Sequence, residues 1–173
     1  MKLHFLLTAA LSAGSIFAAL AHDGTMSITG TITDNTCVVS ADSQNLTVEM
    51  GNVSSKQFYR AGAATRYEPF TIHLERCDAA ASRVSITFIG TPNSVNSQLL
   101  AVTTQAQSAQ GVGIGLYDSD KTLVPVNNLS GGTALTSRQA NVTLPFFARY
   151  VADGSDVSPG AANATITFTL TYE

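Results

Sequence analysis

Cys37 and Cys77 are the only two cysteines in this chain of 173 residues. Their spacing is far from Cys-x-x-Cys, which argues against a redox enzyme. In an exported chain, one even pair favours a structural disulfide over two free thiols or half of a metal site. Of the histidines, His4 lies near the start, His22 follows a small-x-small run, and His73 sits within an alternating apolar segment. His73 is out of phase with Ile72 and Leu74, so it should point outward as a surface residue rather than act as a base or metal ligand. The sequence contains no HExxH, GxSxG or Cys/His cluster. Glu49, Glu68, Glu75, Asp118 and Asp120 are scattered, with no pair placed for acid–base work. These residues imply neither an enzyme nor a cofactor.

Export is the premise behind the cysteine reading, and residues 1–21 supply it. Lys2 and His4 form a polar start, residues 5–20 are mostly apolar or small, and Ala19-Leu20-Ala21 fits a signal-peptide cleavage site. Cleavage there would start the mature chain at His22 and leave 152 of the 173 residues, enough for one domain. Losing Lys2 leaves 8 basic residues against the 12 acidic ones, a formal charge of −4. No basic stripe invites a nucleic-acid backbone or an anionic membrane. No later apolar run is long enough to span a bilayer as a helix.

The elements that must position these residues read as strands. Short segments at 28–33, 46–50, 70–76, 84–90, 112–117, 142–151 and 164–172 are rich in β-branched or aromatic residues and often alternate strictly. Phe70, Ile72 and Leu74 share one face, as do Val84, Ile86 and Phe88, then Val112, Ile114 and Leu116, then Val142, Leu144 and Phe146. One apolar face per strand predicts two sheets packed as a sandwich. Helix is scarce, and residues 97–109 are expected to be irregular or briefly helical. Pro69, Pro125 and Pro145 fall in or beside strand patterns and suggest edges, bends or strand starts.

The two ends of the mature chain look complementary. Gly24, Met26, Ile28, Gly30 and Ile32 share one face of an N-terminal run. Ala164, Ile166, Phe168, Leu170 and Tyr172 alternate with threonines to the end of the chain. The first run is either an ordinary first strand or an arm that leaves the body to complete another chain's sheet. A sandwich lacking the strand next to its last one would expose an apolar trough beside a free edge, and an extended segment could fill it by β-augmentation.

The chain resembles the subunits of type 1-like fimbriae assembled by the chaperone–usher pathway, and within them the small adaptor subunits near the fibre tip. The matching residues are Met26-Ser27-Ile28-Thr29-Gly30-Thr31-Ile32, Asp34-Asn35-Thr36-Cys37, Lys56-Gln57-Phe58, Pro69-Phe70-Thr71-Ile72-His73-Leu74, Cys77, Gly111-Val112-Gly113-Ile114 and the closing run with its penultimate Tyr172. The resemblance implies an all-β, incomplete immunoglobulin-like sandwich that lacks its C-terminal seventh strand and is completed by a donor strand. It divides the chain into a signal peptide over 1–21, a donor extension over 22–31 and a pilin domain over 32–173. It makes Gly24, Met26, Ile28, Gly30 and Ile32 the donor face. Ile166, Phe168, Leu170 and Tyr172 become the acceptor groove and chaperone contact. The implied partners are a periplasmic chaperone, an outer-membrane usher and neighbouring subunits, with the fimbrium at the cell surface as destination. The alternatives are a rod subunit, a carbohydrate-binding tip or soluble module, and a chain whose arm folds back on its own groove.

Overall fold

The computed structural model describes Thr29, residues 36–136 and residues 139–173. The expected donor residues Gly24, Met26, Ile28, Gly30 and Ile32 lie outside the described residues. The strands are β1 (Val38–Val39), β2 (Glu68–Glu75), β3 (Arg83–Ile89), β4 (Leu100–Ala101), β5 (Val112–Tyr117), β6 (Thr133–Ala134), β7 (Asn141–Ala152) and β8 (Thr167–Tyr172). One sheet runs β1-β2-β7-β5-β4 and the other β6-β3-β8, with all ladders antiparallel. The facing sides make the sandwich core, with Ile72, Leu74, Val84, Ile86, Leu116 and Leu144 buried in it. Phe88 and Phe146 meet edge-to-face at 5.2 Å, and Phe70 stacks on Phe146 at 5.7 Å. Each fully buried aliphatic or aromatic side chain of this kind stabilises the fold by about 1.5–3 kcal/mol.

The alternation explains the long central strand. In β7, Val142, Leu144, Phe146, Ala148 and Tyr150 are all buried while the residues between them are not. Pro145 lies inside that strand opposite Thr71. It is tolerated because β5 pairs only with the half of β7 from Phe147 onward, so among the described residues β7 has one neighbour at Pro145. The Ser40 N–H donates to the His73 carbonyl, so the odd residues of β2 turn their backbone groups toward β1. Pro145 therefore faces Thr71 in a pair that needs no proline N–H.

Three expected elements differ. Residues 46–50, expected as a strand, form no ladder, because no strand among the described residues reaches them. The last strand begins at Thr167 rather than at 164. Its partner β3 ends at Ile89, and the N–H and C=O of Gly90 are both taken by the side chain of Asn127. Residues 97–109 contain β4 and turns, while the one helical turn among the described residues is the 3-10 segment Ser55–Gln57, capped by the Ser54 hydroxyl.

Candidate functional site

The site is the unpaired edge of β8 and the trough beside it. At the end of β8, the Glu173 N–H donates to the Arg83 carbonyl at 3.1 Å and the Arg83 N–H donates to a Glu173 oxygen at 3.3 Å. Hydrogen-bonded and non-bonded pairs alternate along an antiparallel ladder. Thr171, Thr169 and Thr167 therefore turn their backbone groups toward β3, and Tyr172, Leu170 and Phe168 turn theirs away. Among the described residues, no strand lies on that side of β8. The same three residues point their side chains at the core, yet they stay only half-buried, whereas the inward residues of β7 are buried.

The trough has two continuous halves that share Leu46, Val48, Thr165 and Ile166. The apolar half, about 580 Å³, is lined by Val39, Val48, Ile72, Phe88, Leu116 and Phe168 among others. The other half, about 710 Å³, passes Met50, Ile114, Tyr150, Ala162 and Ala164, with Glu49, Asn52 and Asn163 at its rim. Small side chains at 162 and 164 leave space where Ile166 and Phe168 narrow it. Residues 162–172 form one wall and residues 45–52 the other.

Two phenols hold the first wall. The Tyr150 hydroxyl donates to the Ala162 carbonyl at 2.8 Å, and the Tyr172 hydroxyl donates to the Cys37 carbonyl at 3.3 Å. Burial pushes both phenol pKa values up. Cys37 and Cys77 are joined as a disulfide just beyond the end of the β1–β2 ladder at Val38↔Glu75. Among the described residues, no group of His, Cys, Asp and Glu is arranged to hold a metal, and no helix is long and apolar enough to cross a membrane.

Of the residues singled out in the sequence, Ile166 and Phe168 line the trough, and Leu170 and Tyr172 pack beside them against the core. His73 is partly exposed and lies on the outer side of β2, with Nδ1 2.7 Å from Asp42 Oδ2. The sequence reading missed the second wall. Leu46, Val48 and Met50 alternate as a strand would, but alternation alone did not mark them as lining a trough.

An immunoglobulin-like sandwich with a free apolar edge belongs to the class of β-proteins completed by a strand from outside. The chain belongs to the fimbrial protein family, whose model, described as "Fimbrial protein", matches residues 26–173. It is 40% identical to the "Probable major fimbrial subunit LpfA" of Escherichia coli O157:H7, over 99% of this chain and 97% of that protein. It is also 40% identical to the "Long polar fimbria protein A" of Salmonella typhimurium, with the same coverage. A Burkholderia pseudomallei antigen and type I fimbria protein shares the fold at TM-score 0.59 and 33% identity, over 81% of this chain and 91% of that one. The P pilus rod subunit PapA, at 18% identity and TM-score 0.60, matches 79% of this chain and 99% of its own, and shows the shared fold. The protein is therefore a structural subunit of a fimbria and not an enzyme.

Proposed function

We propose that this subunit polymerises by donor-strand exchange: its trough accepts an N-terminal arm, and its own arm fills the trough of another subunit. The observation that carries this reading is the coincidence at Phe168, Leu170 and Tyr172. Each presents a half-covered apolar side chain and backbone groups with no strand partner among the described residues, and an added strand satisfies both. In this reading residues 1–21 are removed on export, residues 22–31 are the arm, and Gly24, Met26, Ile28, Gly30 and Ile32 form its inserted face. A periplasmic chaperone fills the trough until an incoming arm displaces it at an outer-membrane usher. The joint is heterologous and does not close on itself, so repetition builds a filament.

The place in the fibre follows from what the arm enters. The likeness to a protein named as a probable major fimbrial subunit, across nearly the whole chain, supports a repeating subunit whose arm fits its own trough. The adaptor position near the tip requires arm and trough to prefer different neighbours.

Both readings are tested with the secreted chain and a labelled synthetic peptide covering residues 22–33. Strand acceptance predicts saturable capture of the peptide, and a repeating subunit predicts capture of its own sequence together with self-polymerisation. The variant Ile28→Asp should lose polymerisation and still capture wild-type peptide. A chain that neither captures an apolar arm nor forms polymers overturns the reading. Capture only of arms from other subunits selects the adaptor position.

A further inference from the structure

The two walls of the trough are held very differently. Residues 162–172 are fixed by the ladder to β3, by Tyr150 and Tyr172, and by the Thr103 N–H donating to the Asn163 carbonyl at 2.7 Å. Residues 45–53 make no backbone hydrogen bond among the described residues. Their anchorage lies just upstream, in the turn that begins at Ser40. There the Ser40 N–H donates to the His73 carbonyl at 3.0 Å. The His73 N–H donates to the Ser43 hydroxyl oxygen at 2.8 Å, and His73 Nδ1 meets Asp42 Oδ2 at 2.7 Å. Ser43 is 1% exposed, and the Asp42 carboxylate also accepts from the Ser40 and Ser43 hydroxyls. One residue of β2 is thus gripped at its N–H, its carbonyl and its ring.

We propose that this clamp positions the near wall of the trough for strand capture, with Ser43 and Asp42 as positioning residues. The inference rests on the strand-exchange reading above. Val39 on one side of the turn, and Leu46 and Val48 on the other, line the same apolar half. The turn therefore sets the spacing between them. A wall segment with no backbone bonds to the other described residues takes its place among them from its nearest fixed point. Without the clamp, its apolar residues are free to fall into the trough they line and compete with the incoming strand.

The test measures the association rate of the labelled 22–33 peptide with the secreted chain, alongside thermal stability. Ser43→Ala and Asp42→Ala are expected to slow capture about tenfold, the factor set by one hydrogen bond near the upper end of its net strength. Asp42→Asn, which keeps an acceptor oxygen for the Ser40 and Ser43 hydroxyls and turns an amide N–H toward His73 Nδ1, should restore a rate within about twofold of wild type. Asp118→Ala is the control. It breaks a turn whose carboxylate caps the N–H groups of Asp120 and Thr122, away from the trough. It should lower the melting temperature without slowing capture. Wild-type capture rates in both Ser43→Ala and Asp42→Ala overturn the proposal, as does equal slowing by Asp118→Ala at equal loss of stability. Should Ser43→Ala fail to fold, the exposed Asp42→Ala decides alone. If the wild-type chain captures no peptide, the strand-exchange reading fails first and the clamp's role fails with it.

Discussion

The hydroxyl of Tyr172, the last residue but one, donates to the carbonyl of Cys37, 135 residues earlier, at 3.3 Å. The bond ties the end of the open edge strand to the backbone of the disulfide. Removing it with Tyr172→Phe keeps the ring and leaves the partly buried Cys37 carbonyl without that donor. The expected cost is about 1 kcal/mol, or about 2–4 °C in melting temperature for a domain of this size. The half-buried phenol also carries a pH signature. The Tyr172 pKa is raised by burial above its ordinary value of 10.0, so folding favours the protonated phenol. Its contribution is complete below pH 10 and is lost as pH rises through the folded value. Denaturant midpoints should fall more steeply above pH 10 in wild type than in Tyr172→Phe, and parallel curves would reject this role.

The bridge between Cys37 and Cys77 closes a loop spanning 40 residues. On the chain-entropy estimate, replacing both cysteines with serine should lower unfolding free energy by about 4 kcal/mol. Because Tyr172 bonds the backbone of Cys37, its contribution should shrink once the bridge is gone. A double-mutant cycle with Tyr172→Phe in the bridged and unbridged chains measures that coupling. Simple additivity would mean that the phenol and the disulfide hold the edge independently.

What the sequence made legible follows from what alternation encodes. Val112, Ile114 and Leu116 marked β5 at its true bounds, because a buried strand needs nothing more than its own pattern. Leu46, Val48 and Met50 carry the same signature, yet no strand among the described residues pairs with them. Period two reports which face is apolar and is silent about which neighbour completes the ladder. The shortened start of β8 depends on Asn127 taking the backbone groups of Gly90, a contact between residues 37 apart. The grip of Asp42 on His73 spans 31 residues. Such polar pairings leave no periodic trace, so His73 could be placed on the outer face but not joined to its partner. The cysteine pairing was accessible by counting.

Asp42 gives the clamp an acid limit. The Ser40 hydroxyl and then the His73 ring hold its carboxyl down to about 2, from an ordinary value of 3.8. A depressed folded pKa contributes stability that is fully present above the ordinary value and is lost as pH falls through the folded one. Denaturant midpoints of the wild-type chain should therefore decline between pH 4 and pH 2, with a shallower decline in Asp42→Asn. Identical acid limbs in the two chains would show that the carboxylate is not held by these contacts in solution.

Gly90 tests the shape of the other wall. A Cβ at this position would lie 2.6 Å from Leu100 Cδ1 and 3.3 Å from Ile166 Cγ1. The Leu100 methyl belongs to a buried core side chain, whereas Ile166 borders the open trough and has space to move into. Gly90→Ala should thus cost only about 1–2 kcal/mol in stability. It should nevertheless slow capture of an apolar strand, because Ile166 relieves the overlap by leaning into the space that strand would occupy. Gly113→Ala is the matched comparison. Its Cβ would meet Leu99 Cβ at 2.8 Å and the Leu100 carbonyl oxygen at 3.2 Å, crowding β4 against β5 where neither Leu99 nor Leu100 lines the trough. At least as large a loss of stability is expected there, with capture unchanged. Equal effects of the two glycine variants on capture would mean that the trough responds to general destabilisation, and that the shape of its wall at Ile166 does not govern entry.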